Sequence, residues 1–226
     1  GFYEGSVAKK IDLDMKKNGG LITKKDLKNY RPVWRDTLRG NYDNYEIVTM
    51  GPPSSGGIHI IQMLNILEKY DLVDMGHNSS TYTALLTESM KYAYADRSKY
   101  LGDPSFFDVP VKTLISKTYA DEINKKIKLD TITPSKTILP GSEMRQESLD
   151  TTHFSIADKN GNVVSNTYTL NSGYGSGVVI DGTGILMNNE MDDFVSAPGV
   201  PNQFGLIGGE ANKIEPFKRP LSSMTP

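Results

Sequence analysis

Through the first 128 residues, apolar side chains recur mainly at helical spacing. Between Ser6 and Lys17, Val7, Ile11, Leu13 and Met15 stand among Lys and Asp, which predicts an amphipathic helix stopped by Gly19 and Gly20. Thr23 with Asp26 reads as the acidic variant of a capping box, opening a short helix to Tyr30 that Pro32 ends. Val33–Arg39 and Tyr45–Met50 have strand composition, and the cluster from Gly40 to Asn44 predicts a hairpin turn between them. The run Pro52-Pro53-Ser54-Ser55-Gly56-Gly57 breaks the chain before a strongly apolar helix marked by Ile58, Ile61, Met63, Leu64, Ile66 and Leu67. Asn78 to Ser80 can cap a helix from about Tyr82 to Tyr100, and Pro110 suits the first turn of another that ends near Ile127.

Residues 129–150 are rich in Ser, Thr, Pro and Gly and poor in large apolar groups, as expected of a linker. Beyond residue 150 the period changes from helical to twofold. His153–Asp158 and Val163–Asn171 alternate on either side of Asn160-Gly161, a strong short-range hairpin signal. A loop with Gly173, Gly175 and Gly177 follows, then short strands around Val178–Ile180 and Ile185–Met187.

Composition removes several classes of chemistry. The chain has no cysteine, so disulfides, thiolate catalysis and Cys-ligated zinc are excluded. His59, His77 and His153 are scattered, and no metal site is expected of them. A net charge of -2 offers no basic surface for nucleic acid or an anionic membrane, and the Lys pairs read as solvated helix faces. No apolar run approaches the ~18 residues of a membrane span. The run from Pro52 to Gly57 lacks the Lys of a phosphate-binding loop and reads as a packed turn. Asp96-Arg97 reads as a structural ion pair carried on a helix.

The predicted hairpin concentrates hydroxyls at one end. With Asn160-Gly161 as a two-residue turn, Lys159 faces Asn162, Thr152 lies opposite Thr169, and Thr151 opposite Leu170. A one-residue bulge would instead put Thr151 beside Thr169. Alternation sets Thr167, Thr169 and Asn171 on one face. Thr-rich strands are common, so this spacing alone does not establish chemistry.

The wording of the segment adds more. The run from Asp150 through Thr-Thr-His-Phe-Ser-Ile-Ala-Asp to Asn171 resembles the start of the small subunit of γ-glutamyltranspeptidases. The resemblance extends through Gly184–Phe194, Pro198–Asn202 and Lys218–Pro226, and upstream through Asn18–Thr23, Pro52–Gly57 and Ala93–Arg97. It implies an α+β fold, part of the four-layer αββα sandwich of N-terminal-nucleophile hydrolases. Residues 1–150 would end the large subunit and residues 151–226 begin the small one, after self-cleavage between Asp150 and Thr151. The freed Thr151 would be the nucleophile, with its own α-amine as base, since an α-amine titrates at about 7.7–8.0. His153 is an alternative base; the resemblance gives it no catalytic role, and a structural one is preferred.

By the same resemblance, Thr169 supplies the hydroxyl that hydrogen-bonds the nucleophile. Asn171, Glu190 and Asp193 hold the substrate's α-amino and α-carboxylate groups, and Ser222 and Ser223 bind the α-carboxylate. Residues 198–209 match a lid loop with Phe204 as its aromatic, and Gly208-Gly209 is either its hinge or a simple turn. The family's carboxylate-gripping arginine and its oxyanion-hole glycines match nothing here. The abrupt ends therefore suggest a longer parent, and the piece alone is expected to have little activity. The implied partners are a small γ-glutamyl peptide such as glutathione, or a γ-glutamate polymer, with water or an amine as acceptor. No metal or organic cofactor is implied, and the parent is expected to be secreted, periplasmic or at the cell surface. The rivals are a cephalosporin- or glutaryl-type acylase and a non-catalytic glutamate-binding module.

Overall fold

A computed structural model describes residues 1–138, 151–197 and 199–225. Asp150, one side of the expected scission site, lies outside the described residues, as do most of the expected linker and Pro198 of the expected lid. The described residues combine helices and short antiparallel strands in two compact units.

The first unit comprises 1–35, 151–152 and 168–190. Helix α1 (Ser6–Asn18) ends where Gly19 takes φ 75, the left-handed cap that the two glycines predict. Its buried Asp12 accepts from Lys16 Nζ at 2.8 Å and from the Lys24 N–H at 3.2 Å, tying α1 to α2 (Lys24–Asn29). The Thr23–Asp26 capping box opens α2 as expected: the Asp26 N–H donates to Thr23 Oγ1 and the Thr23 N–H to Asp26 Oδ2.

The second unit comprises 36–138, 153–167, 191–197 and 199–225. Strands β1 (Thr37–Tyr42) and β2 (Tyr45–Met50) pair from Thr37↔Met50 to Tyr42↔Tyr45. The expected β1, Val33–Arg39, is thus displaced toward the turn. Gly40 reads as a turn residue but lies within the strand, opposite Ile47, and glycine is needed there because Ile61 of α3 (Gly56–Leu67) occupies the space a Cβ would need, 2.7 Å away. After α3 comes a short helix absent from the sequence reading, α4 (Leu72–Met75), whose first amides are capped by Asp71. Ser79 caps α5 (Ser80–Tyr100) by accepting from the Tyr82 N–H at 3.1 Å.

The single helix expected from Pro110 to near Ile127 is two: α6 (Val111–Leu114) and α7 (Lys117–Asn124). Ser116 accepts from the Tyr119 N–H at 3.1 Å and restarts the helix, while Asn65 of α3 donates to the carbonyl of Ile115 at 2.8 Å. Within the expected linker the described part holds a further turn, α8 (Ser135–Ile138). Ile66, Leu67, Leu85, Ala120, Ile123 and Ile127 make one apolar cluster, and Ile58, Leu101, Val109, Leu114 and Leu221 a second.

Strands β3 (Thr152–Ala157) and β4 (Val163–Tyr168) form a hairpin, followed in the first unit by β5 (Val179–Ile180) paired with β6 (Ile185–Leu186). The β3–β4 turn departs from the two-residue expectation. The Asp158 N–H donates to the Asn162 carbonyl at 2.9 Å and the Gly161 N–H to the Asp158 carbonyl at 3.1 Å. Gly161 has φ 83, so the loop is a three-residue turn closed by a bulged glycine. Asp158 drives this choice: its carboxylate accepts from the amides of Asn160 and Asn162 and from the Asn162 side chain, which holds its pKa below the usual range.

Candidate active site

In the first unit the chain leaves β4 at Tyr168 and turns at once. Asn171, buried at 6% exposure, takes φ 76, a left-handed conformation that asparagine tolerates. The expected shared face of Thr167, Thr169 and Asn171 therefore does not form, because strand alternation has ended before residue 171. Instead Thr169 Oγ1 accepts from the Asn171 N–H at 2.9 Å. Asn171 Nδ2 donates to the Asn189 carbonyl at 3.3 Å, and the Asn189 N–H donates to the Leu170 carbonyl at 3.1 Å. The Asn189 side chain completes the clasp, accepting from the Ser172 N–H and donating to Ser172 Oγ, both at 3.0 Å.

This arrangement gathers Thr169, Asn171 and Glu190 around Asn189, with the Glu190 N–H held by Asn188 Oδ1 at 3.0 Å. The sequence reading assigned Asn189 no role. Its signal was the uninterrupted polar run Asn188-Asn189-Glu190 directly after an apolar strand. Thr151 is exposed and directly precedes β3.

In the second unit a buried asparagine again does the joining. Asn212 donates to the Asp193 carbonyl at 2.6 Å, accepts from the Leu221 N–H at 2.9 Å, and offers its own carbonyl to the Val195 N–H at 3.0 Å. Asp193 and the approach to Ser222-Ser223 are thereby held to one residue. The serines themselves lie along the turn read as merely packed. Ser222 pairs in parallel with Ser54: the Ser55 N–H donates to the Ser222 carbonyl at 2.7 Å, and the Ser222 N–H to the Pro53 carbonyl at 2.9 Å.

Side chains repeat this pairing. Ser55 Oγ, fully buried, lies 3.1 Å from the Ser222 carbonyl and 3.4 Å from Ser223 Oγ, and accepts from Arg97 Nε at 3.2 Å. Ser54 Oγ donates to the Met224 carbonyl. Gly56 is required at this crossing, since a Cβ there would stand 2.9 Å from the Ser223 carbonyl oxygen and 2.5 Å from Thr225 Cβ. The tandem Gly56-Gly57 after two serines was the available sign that another segment approaches here.

Arg97 and Asp193 line one narrow pocket with Phe194, Asn202, Leu206 and Asn212. Its wall belongs to the expected lid segment, which is internally bonded. Asn202 Oδ1 accepts from the amides of Phe204 and Leu206 at 3.0 and 2.9 Å, and Pro201 pairs with Ile207. Phe204 is half-buried, and Leu206 and Ile207 rather than Phe204 meet this pocket. Gly208 lies against Val195, where a Cβ would come within 2.3 Å of Cγ2.

The expected Asp96-Arg97 pair separates, because adjacent helical positions face different ways. Asp96 accepts from Gln62 at 2.6 Å and from the Tyr119 hydroxyl at 3.0 Å, while burial raises its pKa. His153 bonds Thr167 Oγ1 at 2.7 Å and lies within reach of Ser155 and Ser165. Among the described residues no group of three or more His, Asp or Glu is placed to hold a metal, and no helix is long and apolar enough to cross a membrane.

Comparisons with known proteins address the chain as a whole. The family model described as gamma-glutamyltranspeptidase matches residues 1–226. The glutathione hydrolase proenzyme of Escherichia coli is 52% identical over 225 residues, covering 100% of this chain and 39% of the relative. The chain thus spans about two-fifths of the length of such relatives. The crystal structure of Helicobacter pylori gamma-glutamyltranspeptidase aligns with TM-score 0.60 at 50% identity, covering 65% of this chain and 42% of that one. A cephalosporin acylase from Bacillus halodurans aligns with TM-score 0.77 at 28% identity, covering 99% of this chain and 37% of its own. With a family model matched from end to end, this chain belongs to the γ-glutamyltranspeptidase family.

Proposed function

We propose that the parent protein cleaves γ-glutamyl amide bonds through an ester on Thr151. The observation that carries this reading is the end-to-end match of the chain to the γ-glutamyltranspeptidase family, with Thr151 exposed at the start of the β3–β4 hairpin. Thr151 directly precedes β3 and Thr169 directly follows β4, so the two hydroxyls flank the open end of this hairpin. A pairing of Thr151 with Thr169, the bulged alternative, would bring a second hydroxyl beside the nucleophile. In the precursor, Thr151 Oγ attacks the Asp150 carbonyl carbon and the peptide C–N bond breaks, leaving an ester and a free α-amine. Water then cleaves the ester, releasing the Asp150 carboxylate. In the mature protein that α-amine takes the hydroxyl proton as Oγ attacks the γ-carbonyl of the donor, and the proton passes to the departing amine. Water or an acceptor amine resolves the γ-glutamyl ester.

On this reading residues 1–150 close a large subunit and residues 151–226 open a small one, within a four-layer αββα sandwich. Glu190 and Asp193 pair with the donor's ammonium, Asn171 orients its α-groups, and Ser222 and Ser223 take its α-carboxylate. The 199–209 segment with Phe204 acts as the lid, limiting water at the ester. Glutathione or a γ-linked glutamate polymer is the donor class, and the parent works outside the cytoplasm. The resemblance in fold to a cephalosporin acylase supports a second reading, a glutaryl-amide acylase; the two carboxylates at 190 and 193 favour a donor bearing an ammonium.

Intact-mass spectrometry of the full-length protein tests the first step. Two chains parting between Asp150 and Thr151, and one unbroken chain for Thr151→Ala, are expected. An unbroken wild-type chain that nevertheless turns over γ-glutamyl-p-nitroanilide would overturn the nucleophile assignment. Faster turnover of glutaryl-p-nitroanilide would favour the acylase.

A further inference from the structure

The serine pair does not hold its own shape. Neither Ser222 nor Ser223 belongs to a strand or helix of more than a single bridge, and residues 221–225 have no other regular structure. Their conformation is imposed by the turn before α3. Two backbone hydrogen bonds fix Ser222 against Pro53 and Ser55, and the Met224 N–H returns to Ser222 Oγ at 3.0 Å. At the centre is the hydroxyl of Ser55, with no exposed surface. A hydroxyl has one proton and two lone pairs. Because Arg97 Nε donates to it, one lone pair is engaged by a cation and its proton is left to face Ser222 and Ser223.

Arg97 is itself buried at 7% exposure, and as an arginine it stays charged. Arg97 touches Ser55 through Nε and is also among the residues lining the Asp193 pocket. Both contacts lead to groups proposed to receive the donor's α-carbon substituents. A fixed charge one hydroxyl away from the serines would also make their surroundings more favourable to an anion.

Resting on the function proposed above, we infer that Arg97 and Ser55 are positioning residues for the α-carboxylate of the donor: Arg97 orients the Ser55 hydroxyl, and Ser55 fixes the Ser222-Ser223 run. Neither needs to touch the substrate. The consequence is selective. Disturbing the relay weakens recognition of a carboxylate and leaves the chemistry at Thr151 intact.

The test uses the full-length protein with two donors, γ-glutamyl-p-nitroanilide and 4-aminobutyryl-p-nitroanilide, which differ only in the α-carboxylate. Ser55→Ala removes one oxygen from a packed site, and Arg97→Lys keeps the charge but loses the planar donor. Both are expected to raise KM for the γ-glutamyl donor about tenfold, the effect of one lost hydrogen bond, with kcat changed less than about twofold. The kcat/KM of the 4-aminobutyryl donor should stay within about twofold of wild type. Equal losses for the two donors, or no loss for either, would overturn the positioning role. If Arg97→Lys fails to fold, Ser55→Ala decides alone. A processed wild-type protein inactive on both donors would instead remove the functional reading, and this inference with it.

Discussion

Lowering the pH should expose how firmly His59 is buried. The residue lies in α3 with 5% of its surface exposed, its ring 5.0 Å from that of Tyr94, and its Nε2 has no hydrogen-bond partner. Burial, reinforced by the charge of Arg97, pulls its pKa from 6.5 to about 3, against a hydrogen bond to the Ala93 backbone that acts the other way. Between those values the unfolded chain binds a proton that the folded one refuses. The stability is therefore complete above the unfolded pKa of 6.5 and falls as pH drops toward about 3.

Each pH unit in that window costs about 1.4 kcal/mol, so going from neutral pH to about 4.5 removes on the order of 3 kcal/mol. Arg97 stays charged throughout and adds no slope of its own. The assay is urea unfolding of the full-length Thr151→Ala precursor, kept as one chain, with His59 and with His59→Gln, at neutral pH and at about pH 4.5. The acid-induced loss should be smaller in His59→Gln by on the order of 3 kcal/mol. Parallel pH dependences in the two proteins would refute the reasoning, because His59 would then titrate in the fold as it does in the unfolded chain. Imidazole NMR shifts offer an independent check: the His59 signal should remain that of the neutral ring down to about pH 4.5.

Three other perturbations test the packing that supports the site. Gly56→Ala places a methyl 2.9 Å from the Ser223 carbonyl oxygen, and should cost about 1–3 kcal/mol in urea unfolding while raising KM for a γ-glutamyl donor. An unchanged midpoint and KM would show that the 222–225 run is free to move. Lys91→Met breaks the buried pair with Glu88, 2.6 Å apart and both below 10% exposed, for an expected loss of about 3–5 kcal/mol. Adding Glu88→Gln should recover much of that loss, and no recovery would mean the loss comes from packing. Tyr119→Phe removes the hydroxyl that donates to Asp96 at 3.0 Å and should cost about 1.5–3 kcal/mol at neutral pH. Because that bond holds the Asp96 pKa down against burial, the cost should shrink in acid, where the carboxyl is neutral; a pH-independent loss would contradict this.

What the sequence determined by itself was local. Thr23 with Asp26, Ser79 before α5 and Gly19 after α1 were legible because donor and acceptor lie within a few positions, and no other part of the chain is needed to satisfy them. The turn at Asn160-Gly161 was legible as a turn but not as to its length, which Asp158 set by collecting amides the count had not assigned to it. The strand at Gly40 and the break at Ile115 were misread for a different reason. Ile61, which makes a glycine necessary in the strand, and Asn65, which donates at the break, are both on α3, and only the packing of that helix brings these side chains there.

The candidate site divides the same way. Which residues are proposed to carry the chemistry was read from their likeness to a family, as strings of neighbours. How they are held was not readable, since Asn189 works on residues 17 to 18 positions away and Ser55 on one 167 away. A hydrogen bond between neighbours is written in residue type and spacing. One across the fold depends on which apolar faces have packed, and that is a property of the whole tertiary structure.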